Sequence, residues 1–216
     1  RDEEQNLELC FGKQAIFKQK KTPQGLIISS TVSPSFILEL RKRLPKETQL
    51  VDAPMSGAPH SARSGSLTFM LGGPSDLLKK WNPLFDCMGN KIHSLGELGS
   101  GMSVKVLNNY VAASSVVNVR RVLKECPQLK VSAKQLLEVM SESSGATWYG
   151  NQFESIDWAR EGYSSENTIG ILEKEVNDSG TTLIEYILSN VIDYPTVKLN
   201  VYFIYSELKI ERIGKI

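Results

Sequence analysis

The stretch Gly99-Ser100-Gly101-Met102-Ser103-Val104-Lys105-Val106-Leu107-Asn108-Asn109 marks a change in the kind of structure that the sequence predicts. Before it, short apolar runs alternate with helical patterns, and after it the patterns are helical. The stretch itself predicts the start of one long helix, from Gly101 to about Cys126. The sequence therefore predicts two domains, residues 1–94 and residues 95–216, with this helix between them.

The first part has the strand and helix alternation of an α/β sheet. Residues 25–29 form an apolar run entered through a proline and a glycine, which is typical of a buried parallel strand. Ser33 followed by Pro34 predicts a helix start. Further strands are predicted at Leu50-Val51 and at residues 66–71 and 91–94, with a helix through residues 77–85.

The second part predicts an all-α domain. On the long helix, one apolar side is predicted from Val104, Leu107, Val111, Val119 and Val122. A capping box, Ser132-x-x-Gln135, predicts the next helix, and further helices are expected at residues 165–176 and 183–191. Residues 197–203 alternate as in a strand, but the apolar spacing over residues 197–208 also fits a helix, which is the structure expected here.

Composition excludes several classes of protein. A net charge of +1 over 216 residues argues against a nucleic-acid binder, and no apolar run reaches the ~20 residues that span a bilayer. The three cysteines, Cys10, Cys87 and Cys126, lie far apart, which indicates a reducing, intracellular compartment (cytoplasm or mitochondrial matrix) and no disulfide framework. His60 and His93 lack metal-ligand spacing, so no metal site is predicted.

Lys105 and Asn109 form the first candidate site. Their i, i+4 spacing places an ammonium and an amide on the same side of the predicted helix. Asparagine is unfavourable inside a helix, which favours a functional reason for the pair. An ammonium beside an amide suits proton transfer at a bound oxygen.

A second candidate site is the turn in Asp52-Ala53-Pro54-Met55-Ser56-Gly57-Ala58. Ser56 offers a hydroxyl and Gly57 a backbone N–H, which together suit a substrate carboxylate. Gly99-Ser100-Gly101 is similar to the start of a dinucleotide fingerprint, but Val104 occupies the place of its third glycine. We therefore expect these glycines to let the helix start approach another backbone or a substrate.

Together these two segments resemble the substrate-binding and catalytic signatures of the β-hydroxyacid dehydrogenases. The resemblance extends from about Phe11 to Glu175 and includes residues 30–34 (Ser-Thr-x-x-Pro), 65–73, 144–148 (Ser-Gly-x-x-Trp) and 172–175. The sequence departs from the family pattern in two places. Ala58 stands where the family has a glycine, and Glu175 stands where it has an aspartate.

The resemblance implies a Rossmann-like parallel sheet followed by an all-α domain through which the protein forms a homo-oligomer. It implies hydride transfer between NAD or NADP and a small 3-hydroxy acid or semialdehyde. The residues that it assigns are the catalytic Lys105, the substrate-binding Ser56, Gly57, Ala58 and Asn109, and the cofactor-binding Thr31 and Lys174.

One element of the family is absent from residues 1–216, namely the glycine-rich turn Gly-x-Gly-x-x-Gly that holds the cofactor's pyrophosphate. The chain is therefore expected to be a fragment, the product of a faulty gene model, or a diverged relative that lacks this half. Two functions follow: a dehydrogenase that needs its N-terminal half, or a non-catalytic member whose helical half serves dimerisation or partner binding.

Overall fold

The computed structural model describes residues 2–13, 15–57, 59–156 and 159–160. The chain divides into two compact units, Arg1–Leu107 and Asn108–Ile216. The first unit is mixed α/β, as predicted, and the described part of the second is helical. The predicted domain boundary between residues 94 and 95 stays a prediction. The boundary between the two compact units falls within the long helix. The helices expected at residues 165–176, 183–191 and 197–208 lie outside the described residues.

The order of elements confirms most of the predicted ones. The first unit contains α1 (Glu3–Phe11), a 3₁₀ turn (Ile16–Lys18), β1 (Gly25–Ile28), α2 (Pro34–Arg43), β2 (Gln49–Asp52), β3 (Met55–Ser56), α3 (Pro59–Arg63), β4 (Leu67–Leu71), α4 (Ser75–Asp86) and β5 (Gly89–Ser94). The long helix α5 (Ser100–Leu129) begins in this unit and continues in the second, before α6 (Ala133–Ser141) and α7 (Trp148–Asn151). The sequence did not identify α1, α3, β3 or α7.

Strands β1 and β2 form the predicted parallel pair, with Leu26 opposite Leu50 and Ile27 opposite Val51. Leu50 packs with α2 in one apolar cluster, whereas the adjacent Val51 packs with α4 in another. Because successive side chains of a strand point to opposite faces, this sheet is covered by a helix on each side. Helix α2 starts as predicted, with the Ser33 side chain accepting a hydrogen bond from the Phe36 amide at 3.1 Å.

The pairing of β3 with β4 departs from the predicted parallel sheet. Met55 lies opposite Phe69 and Ser56 opposite Thr68 in an antiparallel register, while β4 and β5 are parallel. The connection between β3 and β4 is only residues 57–66. A parallel crossover needs about a dozen residues or more, so the short connection favours the antiparallel pair.

The predicted apolar side of α5 is wrong for most of its members. Val104, Leu107, Val111 and Val122 are exposed, and only Val119 is buried. The buried apolar side chains on this helix are instead Met102, Val106, Ala113, Val116, Val119 and Cys126. Since α5 carries apolar residues on more than one face, its spacing alone does not identify the buried face.

In the second unit, Tyr149 is fully buried against Val116 and Val119 of α5. Its hydroxyl donates a hydrogen bond to the Ala159 carbonyl at 2.8 Å, and Arg120 donates to the same oxygen at 2.8 Å. The predicted cap of α6 is present, because the Ser132 hydroxyl accepts from the Gln135 amide. The Ser-Gly-x-x-Trp turn leads into α7, which Thr147 caps.

The start of α5 touches the backbone that follows β4, which confirms that its glycine permits a close backbone approach. A methyl group on Gly101 would overlap the Met70 carbonyl oxygen and would lie 3.0 Å from the Gly72 nitrogen. Gly72 in turn forms a two-way backbone bridge with Asp52. Helix and sheet edge therefore approach more closely here than any residue with a side chain permits.

We expect Gly101→Ala to destabilise the protein by about 1–3 kcal/mol, because the added methyl group must push α5 away from the sheet. The same replacement inside an unconstrained helix stabilises it by about 0.5–1 kcal/mol. Urea unfolding measures the difference, and a stabilised Gly101→Ala variant would contradict the observed contact.

Candidate active site

The buried carboxylate of Asp52 joins the sheet to the start of helix α5. Asp52 is the last residue of β2 and has no exposed surface. Its Oδ1 accepts a hydrogen bond from the Gly99 amide at 2.7 Å, and its Oδ2 accepts one from the Met102 amide at 2.8 Å. One side chain thus holds both ends of the first turn of the helix.

Two opposing effects act on the pKa of Asp52. Burial raises the pKa above its usual 3.8, and the amide hydrogen bonds from Gly99 and Met102 act in the opposite direction. The amide groups at a helix start have no partners within the helix and carry partial positive charge. They therefore offset part of the cost of burying the carboxyl group, and the net pKa remains raised.

Lys105 lies on the second turn of α5, shortly after this anchored turn. It belongs to the first compact unit and is half-buried. Met102 on one side of it is fully buried, and Val106 next to it is buried as well. The backbone of Lys105 therefore extends from a turn that is fixed both by hydrogen bonds and by packing.

The predicted substrate turn follows β3. Ser56 ends this strand and is half-buried, and Gly57 comes next with a φ of +144°. A side chain at Gly57 would be strained at this φ, and its Cβ would lie 2.9 Å from the Leu67 Cδ2 atom. The turn therefore requires glycine at this position. Ala58 lies outside the described residues.

Thr31 lies between β1 and α2 and is half-buried. Because β1 and β2 are parallel, Thr31, which follows β1, and Asp52, which ends β2, lie toward the same edge of the sheet. Ligands of open α/β sheets bind beyond this carboxyl edge. Thr31 follows β1 and the start of α5 follows β5, whereas Ser56 ends β3, which runs antiparallel to β4.

The remaining assigned residues are Asn109 and Lys174. Asn109 is half-buried on α5, four residues after Lys105, and belongs to the second compact unit. Lys174 lies outside the described residues.

The role of Asp52 was missed by sequence reasoning. An acidic residue directly after the apolar Leu50-Val51 and before Ala53-Pro54 was the available indication that it is buried.

The described part of the chain contains neither a metal-binding cluster nor a membrane-spanning helix. Residues 2–13, 15–57, 59–156 and 159–160 contain no group of three or more His, Cys, Asp or Glu side chains arranged to hold a metal ion. No helix within those ranges is long and apolar enough to cross a membrane. Cys10, Cys87 and Cys126 are free thiols.

Comparison with known proteins shows which proteins this chain is similar to. Residues 1–96 match the family model for the NAD binding domain of 6-phosphogluconate dehydrogenase. Over 162 residues the chain is 33% identical to the mitochondrial 3-hydroxyisobutyrate dehydrogenase of Mus musculus. The chain is similar to the 3-hydroxyisobutyrate dehydrogenases. This finding confirms the resemblance that the motifs predict.

The match to the mouse dehydrogenase covers 74% of this chain but 48% of that enzyme, so the chain spans about half the length of the relatives it matches. Two solved 3-hydroxyisobutyrate dehydrogenases share its fold. That of Salmonella typhimurium has a TM-score of 0.76 at 17% identity, and that of Mycobacterium tuberculosis, solved with L-serine, has 0.69 at 20%. Each comparison covers 97% of this chain and 72% of the other.

The raised pKa of Asp52 predicts a specific pH dependence of stability. A carboxyl group whose folded pKa lies above its unfolded value contributes most to stability when protonated, below about pH 4. That contribution is lost as the pH rises through the folded pKa. We therefore expect the unfolding free energy of wild type minus that of Asp52→Asn to fall as the pH rises above about 4. A difference that grows with pH would show that the amide bonds outweigh burial.

Proposed function

We propose that this chain is the substrate-binding and catalytic part of an NAD- or NADP-dependent dehydrogenase that acts on a small 3-hydroxy acid or its semialdehyde. The observation that carries the proposal is the placement of Lys105. The half-buried lysine follows the helix turn held by Asp52, in the same unit as the Ser56-Gly57 turn. The relationship to the 3-hydroxyisobutyrate dehydrogenases supports the same reaction class.

In this proposal Lys105 handles the proton. Reduction of a carbonyl group builds negative charge on its oxygen, which an ammonium group stabilises before donating a proton to it. In the direction of oxidation Lys105 accepts the hydroxyl proton.

The substrate is oriented by polar groups that carry no charge. The Ser56 hydroxyl and the Gly57 amide, with Ala58, bind the carboxylate, and Asn109 orients the reacting oxygen. The L-serine solved with the Mycobacterium tuberculosis enzyme is a small 3-hydroxy acid with a carboxylate. The carboxylate of L-serine supports the proposal of a carboxylate-binding site in the present chain.

A bound nicotinamide supplies or takes up the hydride. The described residues suit one end of such a cofactor, since Thr31 lies at the carboxyl edge of the sheet. They do not suit its phosphates, because carboxylates already occupy the first helix starts. Asp2 accepts from the Gln5 amide at α1, and Glu3 accepts from the Ser33 amide and hydroxyl before α2. In this proposal Lys174 makes a supporting contact with the cofactor.

We also propose that the helical unit forms a homo-oligomer. Several large apolar side chains of this unit are exposed: Val111, Val122, Leu129, Val131, Val139 and Trp148. Three of them, Val111, Val122 and Leu129, recur at i, i+11 and i+18, spacings that return to one face of α5. Exposed apolar patches of this kind mark interaction surfaces.

The oligomer proposal predicts that Val111→Glu combined with Val122→Glu lowers the sedimentation coefficient of the full-length gene product, because two buried charges oppose association. Lys124→Glu, on the same helix and outside this face, serves as the control and leaves the coefficient unchanged. A monomeric wild type, or an unchanged double variant, would contradict the proposal.

The proposed compartment is intracellular, either the cytoplasm or the mitochondrial matrix. Three free thiols support a reducing environment. Detection of the full-length gene product in the medium rather than in cell fractions would contradict this location.

Lys105→Met tests the reaction directly in the full-length gene product. We expect turnover to fall by ~10²–10⁴-fold, the usual contribution of a general acid or base, while coenzyme affinity changes little. Lys124→Met removes an exposed lysine from the same helix and serves as the control. Turnover within threefold of wild type would exclude Lys105 from the mechanism, and an inactive wild type would favour the non-catalytic alternative.

A further inference from the structure

We infer that Asp52 is a positioning residue for Lys105 and acts through the first turn of helix α5. The inference rests on the proposed function, because it assumes that the ammonium of Lys105 handles the proton. It adds a residue to the site that contacts neither substrate nor cofactor. Asp52 is fully buried, and each of its two carboxylate oxygens is bonded to a different amide of α5 or its cap.

The two hydrogen bonds fix the helix more fully than a single bond would. They end on Gly99 and Met102, on the two sides of the first turn, at 2.7 and 2.8 Å. A single acceptor would leave the helix free to tilt about it, whereas two acceptors on one rigid carboxylate oppose both tilting and rotation. The backbone of Asp52 is itself held, since it exchanges two hydrogen bonds with Gly72 at 2.8 and 3.1 Å.

Packing also restrains the first turn of α5. Gly101 lies against the Met70 carbonyl and the Gly72 nitrogen, and the side chain of Met102 is fully buried in the cluster that contains Ile28 and Leu50. Lys105 follows Met102 by one turn, so a displacement of this turn is passed to its ammonium. A misplacement of about 1 Å can lower the rate by ~10²-fold.

Asp52→Asn removes one of the two hydrogen-bond acceptors and changes the shape of the side chain little. Asparagine retains one acceptor oxygen, but its NH₂ group then faces an amide N–H and cannot accept. One of the two bonds is therefore lost while the volume at the buried site is kept. We expect a ~10–100-fold loss of kcat in the full-length gene product, with the KM values for substrate and coenzyme within about threefold of wild type.

A double-mutant cycle separates positioning from a general loss of stability. If Asp52 acts through Lys105, adding Asp52→Asn to Lys105→Met lowers the residual kcat by less than about twofold. If Asp52 only supports the fold, the second substitution lowers kcat by the same factor in both backgrounds. That result would overturn the inference, as would a kcat of Asp52→Asn within twofold of wild type.

Two further variants, Asp76→Asn and Asp52→Glu, are compared with Asp52→Asn. Asp76→Asn makes the same chemical change at an exposed residue in the first turn of α4 and is expected to leave kcat unchanged. If Asp52→Asn does not fold, Asp52→Glu keeps both acceptor oxygens but moves them by one methylene, and the same loss of kcat is expected. Lys105→Met alone tests the proposed function, so an active Lys105→Met variant rejects that function, whereas additive effects reject only the role of Asp52.

Discussion

The hydrogen bonds from Gly99 and Met102 to the carboxylate of Asp52 are the interaction on which the first unit depends. A helix start leaves several amide groups without partners, and here it is buried away from water. An acidic side chain with two acceptor oxygens satisfies two of these donors and interacts favourably with the helix dipole. The acid could not be replaced by an apolar residue without leaving both donors unpaired, at about 1–3 kcal/mol each.

This arrangement also explains why the neighbouring residues are small. Gly72 and Gly101 face each other across the contact between α5 and the end of β4, and a side chain on either would overlap backbone or the Asp52 carboxylate. The short distance is what allows a side chain as short as aspartate to reach two amides of the helix. The Asp52 carboxylate, the two glycines and the end of strand β2 therefore depend on one another.

Much of the fold followed from local sequence. Ser33-Pro34 identified the start of α2, and the apolar runs identified β1, β2, β4 and β5, because caps and buried strands have short-range physical causes. The antiparallel β3 was not predicted, since two residues carry no detectable period. Its direction depends on the length of the connection to β4. The exposed face of α5 was mistaken for the buried one because periodicity reports apolar residues and not what covers them.

The candidate site was likewise predicted only in part from the sequence. Lys105, Ser56 and Gly57 were identified from motifs, and the structure explains one of them physically, since Gly57 adopts a φ that disfavours a side chain. Asp52 stood inside a quoted motif without a role, because its function depends on residues 47 and 50 positions further along the chain. Such a partnership leaves no trace in spacing or composition. The chemistry-bearing lysine is visible in the sequence, whereas the residue that holds its helix in place becomes visible only when strand β2 and helix α5 are brought together.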